Sequence, residues 1–214
     1  MILELAYWKV VLSNPDFAYW KAAFSSLAKS RILIIPYVPE RRQPPARMLP
    51  VDSSWKGIES VLGDLIGRFH IRTNCCLEFG VDTGYSTVVL SSFFSSVVGV
   101  DTFTGDKHSR KHESIYRDTV KRLSPFENVR LVQSDYREWI KHDKNSYDLI
   151  HVDIVHTYAD TYACGLWSAL HSQCAIFHDT ESFPSVKRAV MEISRQTGKS
   201  FYNFKESYGL GILV

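Results

Sequence analysis

The sequence predicts an α/β fold, with a doubly wound, mostly parallel seven-stranded sheet, an antiparallel C-terminal strand and a helical N-terminal extension. The first observation is that short runs such as Cys75–Phe79 and Tyr147–Val152 are apolar along most of their length. Strands of this kind are buried on both faces of a parallel sheet. The second observation is that amphipathic segments separate these runs. The third is that the last two runs, Phe201–Phe204 and 209–214, resemble a hairpin.

Hydrophobic periodicity gives the remaining elements in chain order. Helices are predicted at residues 14–29, 52–69, 86–94, 113–123, 136–141, 158–170 and 185–196. Buried strands are predicted at residues 75–79, 96–100, 129–133, 147–152 and 175–177, ahead of the two strands of the C-terminal hairpin. The proline-rich stretch 39–50 is interpreted as an arm or linker. The chain therefore divides into an extension with its arm, residues 1–50, and one domain, residues 51–214.

Composition excludes several classes of protein. The chain has 214 residues, of which 45% are hydrophobic and 22% charged, as expected for a globular domain with a packed core. The net charge of +2 gives no reason to expect a nucleic-acid partner, and no run approaches the roughly 18 apolar residues of a membrane span. The four cysteines lie in apolar runs without metal-ligand spacing, so we expect reduced thiols and a cytoplasmic protein.

The turn after the first buried strand is a candidate ligand site. Gly80 and Gly84 lie in it, although a tight turn without any ligand would also use glycine. Asp101 follows the next strand roughly 20 residues later, the spacing at which a carboxylate binds ribose hydroxyls in this kind of fold. Asp82 stands where a dinucleotide motif has its middle glycine, and Glu78 adds negative charge. These carboxylates disfavour a diphosphate, and with it a nicotinamide-dependent oxidoreductase, but tolerate a cationic sulfonium nucleoside.

A further carboxylate, Asp135, follows the third strand of the pattern. It is interpreted either as the cap of the helix 136–141 or as an adenine contact.

Four segments together resemble the class I S-adenosylmethionine-dependent methyltransferases, and the nearest branch is that of macrocin O-methyltransferase. They are residues 77–87, 100–106, 148–158 and 177–180. The resemblance covers about residues 55–214 and implies a Rossmann-like methyltransferase fold with S-adenosylmethionine as cofactor. It implies that Glu78, Gly80 and Gly84 line the methionine end, that Asp101 holds the ribose and that Asp135 lies near the adenine. The full set of predicted cofactor-binding residues is Glu78, Gly80, Asp82, Thr83, Gly84, Ser86, Asp101, Thr102, Phe103, Asp135, Tyr136 and Asp153.

Two more strands end in acidic residues next to histidines, and these residues form the predicted reaction site. Asp153 and Asp179 are oxygen ligands of the kind that Mg²⁺ prefers, and a bound cation would lower the pKa of a substrate hydroxyl. His156 is the predicted general base, with Asp153 beside it as the second catalytic residue. The alternatives are that His156 caps the following helix and that His178 is bonded to backbone. Asp148, which lies early in its strand, is interpreted as structural.

The sequence departs from the macrocin-like branch at one predicted metal ligand. That branch has an Asp-x-x-His motif, with the aspartate and histidine in the roles given to Asp153 and His156, and a Glu-Asp pair at the second strand end. Here His178 replaces the glutamate, so the predicted metal ligands are Asp153, Asp179 and His178. Imidazole is a poorer ligand for Mg²⁺ and suits transition metals, so either another ion binds or the ligand set is incomplete.

These observations favour an enzyme that methylates a hydroxyl of a small molecule, such as a sugar or a polyhydroxylated metabolite, with help from Mg²⁺ or Mn²⁺. The alternative is a non-catalytic nucleoside-binding or assembly protein on the same scaffold. The loop 103–116, the arm 39–50 and Trp55 are candidates to cover the acceptor, or else solvated surface. An aromatic-rich N-terminal helix favours a homodimer contact.

Overall fold

A computed structural model describes residues 32–105 and 115–214 of the chain. The predicted helix at residues 14–29 lies outside these residues. Eight strands of the described residues form one sheet in the order β1-β7-β8-β6-β5-β2-β3-β4. They are β1 (Ile34–Pro36), β2 (Cys75–Phe79), β3 (Ser96–Asp101), β4 (Val129–Gln133), β5 (Tyr147–Val152), β6 (Ser172–His178), β7 (Phe201–Phe204) and β8 (Leu210–Leu213).

The predicted architecture is confirmed, with one strand more than the seven expected. Every pair of neighbouring strands is parallel except the two pairs that β8 makes with β6 and β7. The additional strand is β1, whose Ile34 and Ile35 pair with Phe201 and Tyr202 at the edge of the sheet. The sequence did not predict β1, because its apolar run is short and is interrupted by Pro36, which has no N–H to donate. Proline is tolerated at a sheet edge.

Within the part of the chain that the structure describes, six α-helices cover the sheet. They are α1 (Leu62–Arg68), α2 (Tyr85–Leu90), α3 (Tyr116–Leu123), α4 (Tyr136–His142), α5 (Tyr158–Leu170) and α6 (Pro184–Thr197). The long helix predicted at residues 52–69 is instead a turn, a 3-10 helix (Ile58–Ser60) and the shorter α1. Gly57 interrupts the helix because its φ of +104° is not a helical conformation. Glycine adopts this φ without the strain that a side chain would add.

The two faces of the sheet bury separate apolar cores. On one face Trp167 and Tyr162 of α5 pack with Phe177 of β6. On the other face Trp55 and Leu62 pack with Ile176 of β6 and their neighbours. Burial on both faces is the reason why the strands are apolar along most of their length.

The proline-rich arm packs against the domain at both of its ends. Tyr37, which precedes it, is buried and donates to Asp64 of α1 at 2.5 Å. Arg42 forms a bidentate ion pair with Glu206 of the β7–β8 turn at 2.6 and 2.8 Å. Arg47 donates to the side chain of Asn128 at 2.7 Å.

Among the described residues, none of the helices is long and apolar enough to cross a lipid bilayer.

Candidate active site

The carboxyl ends of four adjacent parallel strands lie level at one edge of the sheet. Phe79 of β2 pairs with Val100 of β3 and with Val152 of β5, and Val152 pairs with Phe177 of β6. The residues that follow these positions therefore emerge side by side. This register brings together the ends of strands that are far apart in the sequence, as expected for a ligand site in an open α/β sheet.

A cavity of about 570 Å³ opens at this edge. Its wall includes ten of the twelve predicted cofactor-binding residues, both predicted catalytic residues and Asp179. The predicted residues on the wall are Gly80, Asp82, Thr83, Ser86, Asp101, Thr102, Phe103, Asp135, Tyr136, Asp153, His156 and Asp179. Glu78, Gly84 and His178 do not line it.

Two glycines fix the shape of the turn between β2 and α2. Gly80 has φ at +90°, and a Cβ there would come within 1.7 Å of the Asp153 carbonyl oxygen. Gly84 has φ at +88°, and a Cβ there would overlap Leu123 of α3. Glycine is needed at both positions because the backbone is left-handed and neighbouring groups approach it closely. Gly84 thus shapes the site from behind the cavity wall.

Asp101 holds this turn in place. Its Oδ2 accepts from the amides of Val81 and Asp82 at 2.7 and 2.9 Å, and its Oδ1 accepts from the amide of Phe103 at 2.7 Å. The hydroxyl of Thr102 is a fourth and weak donor, 3.5 Å from Oδ1, and a ligand hydroxyl could take its place. One residue from β3 thus ties together the turns that follow β2 and β3.

Asp135 caps α4 by accepting from the amide of Arg137 at 2.7 Å, which confirms the cap interpretation. The Arg137 guanidinium bonds Asp135 at 3.0 Å and also contacts Asp160. Asp160 accepts further bonds from the hydroxyls of Tyr136 at 2.7 Å and Thr157 at 2.6 Å. This network forms one wall of the cavity. Arg137 and Asp160 carry no motif in the sequence and were missed there.

Glu78 belongs to a buried polar group beneath the cavity. Its side chain and that of His151 have no exposed surface, and Oε1 of Glu78 lies 2.9 Å from Nδ1 of His151. The other carboxylate oxygen accepts from the hydroxyl of Thr87. The indole N–H of Trp55 donates to Nε2 of His151 at 3.1 Å. We call Trp55, His151, Glu78 and Thr87 the buried group.

Two aspartates and two histidines form a second polar group at the ends of β5 and β6. Nε2 of His156 lies 2.8 Å from Oδ2 of Asp179 and 3.6 Å from Oδ1 of Asp153. Nδ1 of His178 lies 3.1 Å from Oδ2 of Asp153 and 3.4 Å from Oδ2 of Asp179. Nε2 of His178 faces the Ser207 carbonyl oxygen at 3.2 Å. We call Asp153, His156, His178 and Asp179 the cavity group.

The charges of the cavity group stabilise one another. Burial lowers the pKa of each histidine, but the hydrogen bonds and negative charges of Asp153 and Asp179 have the larger, opposite effect. They raise the pKa of His156 to about 9 and that of His178 to about 10. Burial raises the pKa of each aspartate, but the two histidines outweigh it and hold both pKa values below the usual range. Each of these shifts favours the charged form, so the two aspartates and the two histidines stabilise one another's charges.

The side chain of His156 is held by stacking. Its ring lies parallel to that of Phe183, with the centroids 4.1 Å apart and the planes at 6°. Its backbone carbonyl accepts from the hydroxyl of Ser185 at 2.6 Å. The cap of α5 is the side chain of Thr157, so the alternative interpretation of His156 as that cap is wrong.

Aromatic side chains surround the cavity group. Trp55, Phe183 and Tyr208 all line the cavity, and Tyr208, in the β7–β8 turn, is 57% exposed. The sequence pointed to Trp55 but to neither of the others. The loop 103–116 and the arm 39–50 were predicted to cover the acceptor. Phe103, Gly105 and Ile115 of the loop line the cavity, and residues 106–114 lie outside the described residues. No residue of the arm 39–50 lines the cavity.

Asp179 and Tyr208 each have positive φ, at +65° and +66°. Such conformations are costly for residues with a side chain and are concentrated at functional sites. Here they turn Asp179 toward His156 and place Tyr208 on the cavity wall.

Within residues 32–105 and 115–214, Asp153, His156 and Asp179 offer ligand atoms that lie within 4.8 Å of one another. This spacing would allow the three side chains to bind one metal ion together. His178 is not part of this set of three.

Comparison with known proteins agrees with this architecture. Residues 77–180 match the family model described as a methyltransferase domain. No curated protein matches the sequence.

Solved structures share the fold at low sequence identity. A proposed O-methyltransferase from Klebsiella pneumoniae is 12% identical with a TM-score of 0.54, and the match covers 100% of this chain and 90% of that one. A proposed methyltransferase from Streptococcus mutans in complex with SAH is 12% identical with a TM-score of 0.53, covering 70% of this chain and 95% of that one. The resemblance drawn from the sequence motifs is confirmed to this extent: residues 77–180 match a methyltransferase-domain model, and solved methyltransferases share the fold.

Proposed function

We propose that this chain transfers a methyl group from S-adenosylmethionine to a hydroxyl of a small molecule. The observation that carries the proposal is the continuity of the cavity. One space joins the Gly80 turn and Asp101 to three members of the cavity group, Asp153, His156 and Asp179. A nucleoside held at the first end leaves its reactive group facing a histidine at the second.

The residues at the first end suit this cofactor. Asp82, Asp101 and Asp135 place three carboxylates on the wall, and the rings of Phe103 and Tyr136 line the same cavity. Carboxylates accept hydrogen bonds from ribose hydroxyls and an ammonium group, and they oppose a diphosphate. When bound there, the cofactor supplies a methyl group activated by a positively charged sulfur.

The residues at the second end suit proton transfer. His156 borders the cavity, and its ring is fixed by Phe183 and Asp179. In its neutral form the imidazole takes the proton of the acceptor hydroxyl as the oxygen bonds to the methyl carbon and the carbon–sulfur bond breaks. The bonding electrons leave with the sulfur, and Asp153 and Asp179 stabilise the imidazolium that forms. These two carboxylates also orient the ring, which raises the fraction of productive complexes.

The size and lining of the cavity favour a small acceptor. Pockets of 300–1,000 Å³ with aromatic walls and few polar groups are typical of small-molecule sites, and about 570 Å³ must hold the cofactor and the acceptor together. The exposed face of Tyr208 and the ring of Phe183 suit the apolar face of a sugar or of a polyhydroxylated ring. The proposal includes oxygen as the atom that is methylated. It also includes a cytoplasmic location, in which the cysteines stay reduced.

Calorimetry with S-adenosylhomocysteine tests the cofactor end. We expect the chain to bind it and Asp101→Ala to lose binding, because the variant removes both the ribose acceptor and the bonds that hold the turn after β2. Asp118→Ala is the matched control, since Asp118 is exposed on α3. Undiminished affinity in Asp101→Ala would refute the cofactor placement.

Turnover separates the enzyme from the non-catalytic alternative. The chain is incubated with methyl-labelled S-adenosylmethionine and a panel of sugars, catechols and primary amines of similar size. Label on a hydroxyl supports the proposal. Label only on nitrogen would refute the O-methylation, and cofactor binding without transfer to any acceptor would favour the binding protein.

A further inference from the structure

The turn between β2 and α2 contains a strained residue. Asp82 has φ at +48°, a left-handed conformation that is costly for a residue with a side chain. The turn is closed by the amide of Gly84, which donates to the carbonyl oxygen of Val81 at 2.8 Å. Strain of this kind persists only where the surrounding structure fixes the backbone. The contacts that fix Asp82 therefore determine the shape of the turn.

Both peptide groups of Asp82 are held by other elements. Its amide donates to Asp101 of β3 at 2.9 Å, and its carbonyl oxygen accepts from the hydroxyl of Thr119 of α3 at 3.1 Å. The next carbonyl oxygen, that of Thr83, accepts from the Arg122 guanidinium at 3.0 Å. Thr119 and Arg122 are three residues apart and so lie on one face of α3. The helix thus holds the two carbonyls, while β3 holds the amide.

Thr119 reaches the cavity only through this turn. The residue is fully buried and does not line the cavity, whereas Asp82 and Thr83 do. In a helix, a threonine hydroxyl often bonds the carbonyl one turn back. The hydroxyl of Thr119 instead donates to a residue 37 positions away. Any effect of this hydroxyl on a bound molecule must therefore pass through the conformation of the turn.

We propose that Thr119 and Arg122 are positioning residues for the cofactor. They keep Asp82 in its left-handed conformation before any ligand arrives, so that Asp82 and Thr83 already lie on the cavity wall. A site formed in advance does not lose affinity to the ordering of its own backbone. The inference rests on the proposed function for the identity of the ligand, whereas the hold of α3 on the turn is a property of the free protein.

Calorimetry with S-adenosylhomocysteine is the first test. Thr119→Val removes the hydroxyl and keeps the branched shape, and it should weaken binding roughly tenfold because the Asp82 carbonyl loses its partner. Thr119→Ser keeps the hydroxyl and should keep the wild-type affinity. Thr197→Val is the matched control, since it removes a hydroxyl that bonds the Ile193 carbonyl at 2.8 Å in α6. Undiminished affinity in Thr119→Val would overturn the proposal.

A change of residue 82 separates positioning from a general loss of stability. Asp82→Gly and Asp82→Ala both lack the carboxylate, but only glycine adopts the left-handed conformation without strain. Thr119→Val should therefore weaken binding roughly tenfold in the alanine background and about twofold in the glycine background. Equal losses in the two backgrounds would show that Thr119 does not act through the conformation of the turn, and would overturn the proposal.

Hydrogen exchange of the free chain tests the hold on the turn without any ligand. We expect the amides of Val81 and Asp82 to exchange roughly tenfold faster in Thr119→Val, because the turn opens more often. The amide of Phe103, which donates to the other carboxylate oxygen of Asp101 at 2.7 Å, should keep its rate. Unchanged rates at Val81 and Asp82 would overturn the proposal.

Two further outcomes are covered by the same measurements. If Thr119→Val does not fold, Arg122→Met takes its place in the calorimetry and in the exchange, with the same expected direction and the same contradicting result. A wild-type chain that does not bind S-adenosylhomocysteine would refute the proposed cofactor end. The exchange rates would then confirm or refute the hold of α3 on the turn by themselves.

Discussion

The buried group and the cavity group each join histidine to a carboxylate at nearly the same distance. Nδ1 of His151 lies 2.9 Å from Glu78, and Nδ1 of His178 lies 3.1 Å from Asp153. The second ring nitrogen distinguishes the two. In His151 it meets the indole N–H of Trp55, which can only donate, whereas in His178 it meets a carbonyl oxygen, which can only accept.

That difference makes one histidine structural and the other part of a charged site. His151 accepts from the Trp55 indole at Nε2 and meets the Glu78 carboxylate at Nδ1, so it links these two side chains. Both nitrogens of His178 face oxygen atoms, and the neighbouring carboxylates raise the pKa of this histidine to about 10. The chemistry of the partner atoms, rather than the length of the contact, distinguishes the two histidines.

The largest expected effect comes from removing the base of the cavity group. His156→Ala should lower kcat roughly 1,000-fold, within the usual range for losing a general base. Affinity for S-adenosylhomocysteine should change little, because His156 lies at the acceptor end. His142→Ala, on an exposed histidine of α4, is the matched control. A variant that keeps full activity would remove His156 from the mechanism.

The next effect concerns stability and the buried group. His151→Leu leaves the Glu78 carboxylate and the Trp55 N–H without their partner in a fully buried place. The free energy of unfolding should fall by about 3 kcal/mol, as measured by urea denaturation. His142→Leu, at the surface, should change it by less than about 0.5 kcal/mol. If His151→Leu were equally mild, the buried group would not hold the fold together.

The pH dependence of the reaction sharpens the contrast. A base works in its neutral form, and the pKa of His156 is raised to about 9, so at pH 7 most of the histidine carries the proton. The value of kcat/KM should therefore rise about tenfold from pH 7 to 8 and level off above about 9. Residual activity of His156→Ala should not follow this rise. A wild-type profile that is flat from pH 7 to 9 would contradict the base role.

The smallest effect isolates one hydrogen bond of the buried group. Trp55→Phe keeps an aromatic ring on the cavity wall but removes the N–H that meets His151, and should cost about 1 kcal/mol of stability. Trp139→Phe removes an indole N–H that bonds the half-buried Asp143 at 3.0 Å, where water can replace it. We expect a smaller loss there. Equal losses of stability in the two variants would show that the buried hydrogen bond to His151 stabilises the fold no more than the half-buried one.

Patterns confined to one strand and its end were read correctly from the sequence. The structure confirms that buried strands alternate with helices and that the last two strands form a hairpin. It also confirms that four predicted residues lie at one edge of the sheet: Gly80, Asp101, Asp153 and Asp179. The structural role of Asp148 is confirmed as well, since its Oδ2 accepts from the amides of Asn74 and Cys75 at 2.7 and 3.0 Å. Strand ends can be predicted because parallel register places them together.

Features that depend on contacts between distant segments could not be predicted. His151 looks like one polar residue in an apolar strand, and its partners Trp55 and Glu78 are both far away in the sequence. Glu78 was predicted to line the methionine end, yet its side chain turns inward to His151 and Thr87. Tyr208 reaches the cavity because the β7–β8 turn folds over the end of β6. No local periodicity carries that information.

The edge strand β1 also determines where the preceding residues join the domain. Because β1 runs parallel to β7, its first residue, Ile34, lies at the amino ends of the parallel strands, while the cavity lies beyond their carboxyl ends. A fluorescent label or an affinity tag fused ahead of residue 32 would thus be attached on the side of the sheet away from the chemistry. The same strand covers the outer edge of β7, so deleting it would bare a row of backbone groups to other chains.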